Sequence, residues 1–208
     1  MFFVRQHNNQ CGLHAIQNMF KSAAMVTNDM HTACVKIEKD TGDPIINHES
    51  MGGDWSVAAI ITALELRGYK IHRAVESRQC RQWSGDSLET LLKNEQFRGM
   101  IVHQPMNQHF TCLRPEQVDG QQQLFYVDSQ ADGPIRISTR LAERRCLAPA
   151  YSWEPYCVMG GEMEYVAPVA IPKEPSIKER PRLRPSAEFM KDWHALRNNT
   201  QTQKEEKQ

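Results

Sequence analysis

The chain has 208 residues, enough for one domain with a real core plus an appendage. Lysine plus arginine balances aspartate plus glutamate at 25 each, so no global field draws it to nucleic acid or to an anionic membrane surface. No apolar run approaches the roughly 18 to 20 residues that span a bilayer, and MFFVRQ is too short and too soon charged for a signal peptide, so a soluble protein of the cytoplasm or nucleus is expected.

Residues 6–20 read QHNNQCGLHAIQNMF. Leu13, Ile16 and Phe20 recur at near-helical spacing and Asn8 or Asn9 can serve as N-cap, so Cys11 falls in or beside the first turn. Unpaired N–H groups and the positive end of the helix dipole at that position favour thiolate over thiol. The plain alternative is a buried cysteine acting as a small hydrophobe. Asn28 can cap a second helix in which Met30, Ala33, Cys34 and Ile37 form one apolar stripe, making Cys34 core. Residues 40–53 carry glycines, a proline and polar side chains and read as a long loop, with His48 expected in solvent. Asp54 can cap a third helix, apolar on more than one face and therefore expected to be central, before Gly68 ends it.

Residues 69–75 alternate like a half-buried strand with His72 on its wet side. A helix is expected over 84–95, with Leu88, Leu91 and Leu92 inward, then a buried strand over 99–103. Residues 109–113 pair with 123–127 across a turn at Asp119 and Gly120; a short helix over 138–145 and a strand over 156–159 follow. The class is α+β, with an N-terminal helical part and an antiparallel sheet. This domain is expected over 1–167. Beyond it, 168–208 is proline-rich and charged, then polar throughout, and reads as a flexible tail. Within that tail, 186–197 can form a short helix whose Phe189, Trp193 and Leu196 either dock back on the domain or meet a partner.

The six cysteines (Cys11, Cys34, Cys80, Cys112, Cys146, Cys157) are scattered without a CxxC pair, which predicts reduced thiols and argues against a structural zinc site. A thiol nucleophile needs a base that takes its proton and later delivers it to the leaving amine, a task suited to histidine. Among eight histidines, His109 opens a strand whose return partner brings Asp128 into the neighbourhood, where a carboxylate fixes the tautomer and stabilises the imidazolium. The backbone N–H of Cys11 and the side-chain amide of Gln6 can supply the two oxyanion donors. His7 and His14, too close to Cys11 in sequence to be placed independently, suit supporting roles. This chemistry calls for no metal and no cofactor.

These residues resemble a known family. QHNNQCGLHAIQNMF, GGDWSVAAIITALELRGYKI, and QHFTCL followed by FYVDS are similar, in the same order, to the motifs of the Josephin family of deubiquitinating cysteine proteases, over about 4–161. The resemblance implies a papain-like fold, nucleophile Cys11, base His109, orienting acid Asp128 and oxyanion donor Gln6. It further implies ubiquitin or polyubiquitin as substrate, a thioester intermediate, and a helical excursion over 24–53 that gates or binds ubiquitin. Phe3 and Val4 stand where the family often has His and Glu, and Phe110 where Trp is frequent; no ubiquitin-interacting motif is evident in the tail. Two rivals stand beside this reading: a papain-like peptidase acting on leader peptides or a polyprotein, and a non-catalytic interaction module. For the substrate tail, a slot of small or flat groups near Gly12 and the loop before His109 is expected.

Overall fold

The computed structural model describes residues 2–6, 9–50, 53–73, 75–76, 81–82, 85–147 and 153–161. The tail expected from 168, with its helix over 186–197, lies outside the described residues, as do His7 and Asn8. Helices come first: α1 (Cys11–Phe20), α2 (Thr27–Thr41) and α3 (Val57–Leu66), with a 3-10 turn at Ile45–Asn47 between the last two. Strand β1 (Lys70–Arg73), the small pair β2 (Val75–Glu76) and β3 (Arg81–Gln82), and α4 (Leu88–Leu92) follow. Then come β4 (Phe97–Gln104), a 3-10 turn (Pro105–Asn107), β5 (His109–Val118), β6 (Gln121–Val127), β7 (Ile135–Ile137), α5 (Thr139–Ala142) and β8 (Glu154–Met159).

Six strands form one antiparallel sheet in the order β1-β8-β4-β5-β6-β7, so the class is α+β. Period-two alternation gives the sheet two apolar faces. Ile101, Phe110, Cys112, Phe125, Val127 and Val158 meet residues of α1, α2 and α3 on one side. Met100, Val102, Leu113, Leu124 and Cys157 meet α4, α5 and the π-helical turn Glu143–Leu147 on the other. Among the described residues no helix is long and apolar enough to cross a membrane.

Several elements differ from the sequence reading in ways with physical causes. The most enclosed helix is α1, buried from Cys11 to Met19, although His14, Gln17 and Asn18 give it the look of a surface helix. Those polar side chains are inside because they have partners: the Gln17 amide donates to the Met25 carbonyl at 2.8 Å, and Asn18 pairs with both backbone groups of Val4 at 2.6 and 2.9 Å. α3 is capped by Ser56 and not by Asp54; the Ser56 hydroxyl accepts from the Ala59 N–H. His48 is buried, not solvated, with Nδ1 2.9 Å from Ser56 Oγ and Nε2 3.0 Å from Asp43 Oδ2. The expected 84–95 helix shrinks to one turn and a half behind Ser87, because Gly85 and Asp86 remain outside it.

Candidate active site

The site forms at one end of the sheet, where the start of β5 meets the N-terminus of α1. Cys11 is the first residue of α1. The residue before the helix is Gln10, not Asn9, and its side chain makes no cap hydrogen bond; it packs instead over Gly53. The first-turn N–H groups of α1 therefore have no cap from Gln10, leaving donors and a helix dipole beside the sulfur. Gly12 seats this turn tightly: a Cβ there would lie 2.6 Å from Ile60 Cδ1 and 3.5 Å from the Phe110 ring. Gly12 thus faces the core, while its neighbour Cys11 and the residues before His109, Asn107 and Gln108, line the cleft.

His109 opens β5 after a tight return. Gln108 takes a left-handed conformation (φ 47), a strained choice for a residue with a Cβ, and its carbonyl lies 3.9 Å from Cys11 Sγ. The β5–β6 register, ending at Cys112 opposite Val127, sets Asp128 diagonal to His109 on the same face. His109 Nε2 lies 2.9 Å from Asp128 Oδ1, which also accepts the Gln130 N–H at 2.9 Å and is thereby held in one orientation. Cys11 is close enough to interact with the ring as well. Burial by itself lowers the pKa of His109, but the hydrogen bond to Asp128, then the hydrogen bond to Cys11 and both charges, outweigh it and push the ring from 6.5 up to about 9. The interactions with Asp128 and Cys11 therefore favour the imidazolium over the neutral ring.

Gln6 arrives on the N-terminal segment and is clamped by Ser129, the residue after Asp128. Its N–H donates to the Ser129 carbonyl at 2.8 Å, and its Oε1 accepts from the Ser129 hydroxyl at 3.2 Å. With the oxygen so occupied, the amide nitrogen is the end that presents donors. Gln6, Cys11 and His109 line one open cleft of about 190 Å³, whose walls are completed by Asn107, Gln108, Gln130, Asn9 and Asp54.

The structure thus brings together the four side chains singled out from sequence. It adds residues the sequence reading passed over. Ser129 and Asn18 hold the Gln6 segment, and Arg114, fully buried, donates Nη1 to the carbonyls of Phe2 (3.1 Å) and Asn18 (2.7 Å) while pairing with Glu116. A lone arginine amid the apolar residues of FTCLRPE was the available signal for the last. Burial pushes Cys34 up to about 11 and Cys112, Cys146 and Cys157 up to about 12, so these four stay protonated. All described cysteines are free, and no group of three or more His, Cys, Asp or Glu among the described residues is placed to hold a metal ion. No protein-family model and no curated protein sequence matches the chain.

Proposed function

We propose that the chain is a papain-like cysteine hydrolase. The observation that carries this is Cys11 at the mouth of α1 against His109, whose other nitrogen meets Asp128 at 2.9 Å, with Gln6 across the same cleft. In the forward reaction the Cys11 thiolate attacks the scissile carbonyl carbon, and the carbonyl π electrons move onto oxygen. The Cys11 N–H and the Gln6 amide stabilise that oxyanion. The tetrahedral adduct collapses by breaking the C–N bond as the His109 imidazolium protonates the departing amine, leaving a thioester. Water then attacks the thioester while neutral His109 takes its proton, and the carboxylic acid and thiolate are released. Asp128 keeps the ring oriented throughout.

More narrowly, the reading is a deubiquitinase of the Josephin kind, cutting peptide or isopeptide bonds after the C-terminal glycine of ubiquitin. The motif resemblance over 4–161 supports it. So does an open cleft walled by side-chain amides, suited to a glycine backbone that offers only N–H and C=O groups. Met106, 87% exposed three residues before His109, gives a protein substrate an apolar contact at the rim. The 24–53 excursion is built from α2 and the Ile45–Asn47 turn, and it is the segment proposed to gate or bind ubiquitin.

The test is labelling with ubiquitin bearing a C-terminal electrophile. A single adduct on the wild type, lost in Cys11→Ala, is expected. No wild-type adduct, or an equal one on Cys11→Ala, removes the proposal. Turnover of unmodified peptides with no preference for ubiquitin fusions keeps the hydrolase and transfers the substrate to the leader-peptide or polyprotein class.

A further inference from the structure

One row of side chains crosses three strands of the sheet beside the turn that leads into His109. His103 of β4 stands opposite Glu154 of β8 on one side and Phe110 of β5 on the other, so the three share a face. The His103 ring stacks on the Phe110 ring, with centroids 4.5 Å apart and planes inclined by 23°. Its Nδ1 lies 3.1 Å from Glu154 Oε2, which also accepts the Tyr156 hydroxyl at 2.9 Å. The pair is largely enclosed, the His103 side chain being 17% exposed and that of Glu154 12%. The reaction described above uses none of these three polar residues.

Enclosing such a pair is costly, and an apolar trio of the same volume would pack there at no greater cost and often at less. What an apolar trio does not supply is direction. Hydrogen bonds fix the plane of the imidazole, and a ring of fixed plane orients the ring stacked on it. Phe110 is the ring so oriented, and it adjoins both halves of the catalytic pair. It follows His109 directly in the chain. It also lies against Gly12, the residue after Cys11, where a Cβ would meet Phe110 Cδ2 at 3.5 Å. The pairing of His103 with Phe110 is one step from that of Gln104 with His109, the last rung before the Pro105–Asn107 turn. The stack therefore closes the base of the loop whose Asn107 and Gln108 line the cleft.

Resting on the hydrolase reading above, we infer that His103, oriented by Glu154 and Tyr156, is a positioning residue that acts through Phe110 to hold Cys11 and His109 in working register. It touches neither the sulfur nor the substrate; its role is to set where the strand start meets the helix start.

The experiment reads the sulfur itself, so it needs no substrate. The full chain is treated with iodoacetamide across a range of pH, and carboxamidomethylation of the Cys11 peptide is followed by mass spectrometry alongside the melting temperature. Wild-type Cys11 is expected to react at pH 6 well ahead of a free thiol, as a thiolate held by an imidazolium does. His103→Leu should lose that low-pH reactivity by about tenfold, because the sulfur and ring no longer meet in register. Glu154→Gln and Tyr156→Phe, which disturb packing less, should each lose part of it, and His103→Phe, which restores a stacked ring, should recover part of the loss in His103→Leu. In a Phe110→Leu background, His103→Leu should change almost nothing further. Activated Cys11 in the wild type with unchanged reactivity in all four single variants at His103, Glu154 and Tyr156 overturns the inference and leaves the hydrolase reading intact. A lower melting temperature with undiminished reactivity overturns it too, since the row would then serve packing alone. Fully additive losses in the Phe110→Leu background defeat the route through Phe110. Wild-type Cys11 that reacts as an ordinary thiol at every pH removes the hydrolase reading, and the inference with it.

Discussion

Removing the Asp128 carboxylate tests the relay most directly. His109 rises from 6.5 to about 9 against a burial effect that pulls the other way, which corresponds to about 3 kcal/mol of net preference for the imidazolium. The hydrogen bond to Asp128 is the largest of the effects that raise the ring, ahead of the hydrogen bond to Cys11 and the two charges. In Asp128→Ala, burial is left to act with only Cys11 opposing it, and the ring should titrate well below 9. Because the folded pKa lies above the unfolded one, the linked stability is fully present below pH 6.5 and is lost as pH rises through about 9. Asp128→Ala should therefore be clearly less stable than the wild type in urea unfolding at pH 6, and the difference should shrink at pH 10. In activity, the alkaline limb of kcat/KM, near 9 in the wild type, should move toward neutrality, with at least about a hundredfold loss at pH 7. Asp128→Asn keeps the acceptor and the Gln130 N–H bond while removing the charge, so it should retain more activity than Ala yet show the same direction of limb movement. A His109 imidazole that still titrates near 9 by NMR in Asp128→Ala, or equal destabilisation at both pH values, refutes this account.

Three further predictions concern Gln6 and the scaffold that holds it. Gln6→Ala should lower kcat by about 10² to 10³ with little change in melting temperature. Asn18→Ala, which breaks both bonds to Val4, should lower kcat by at least about tenfold and add almost nothing to Gln6→Ala in the double variant; fully additive losses in kinetic measurements would show that Asn18 does not act through Gln6. Arg114→Ala strands Glu116 and removes a donor from the Phe2 and Asn18 carbonyls, so denaturant unfolding should record a loss of about 3 to 5 kcal/mol, partly recovered by Glu116→Gln. A loss under about 1 kcal/mol contradicts the role given to this buried charge.

The class and the hairpin were legible because their signals are local. Asp119 (φ 51) and Gly120 (φ 75) are residue types that tolerate left-handed backbone, and they sit where the expected turn between β5 and β6 lies. The Met30, Ala33 and Cys34 stripe of α2 is buried as its spacing implies. β7 escaped notice because IRI is three residues, mostly exposed, with too little alternation to register. His48 was misjudged because a polar side chain reads as solvent-facing until a distant partner is known, and the burial of Gln17 and Asn18 in α1 has the same cause. Asp43 and Ser56 flank His48, while Val4 and Arg114 reach Asn18 from 14 and 96 residues away.

What residue order alone determined is the set of chemical groups and the elements that carry them: a cysteine opening a helix, a histidine opening a strand, an aspartate ending the return strand, and a glutamine upstream. These follow from short-range periodicity and turn chemistry, which need only a few neighbouring residues. Tertiary structure decided everything measured across the chain: the contact of Cys11 with a ring 98 positions later, the clamping of Gln6 by Ser129, and the arrival of Asp54 in the cleft behind Gly53. Such contacts depend on strand register and on how closely one backbone can approach another, and neither quantity is encoded in any single stretch of sequence.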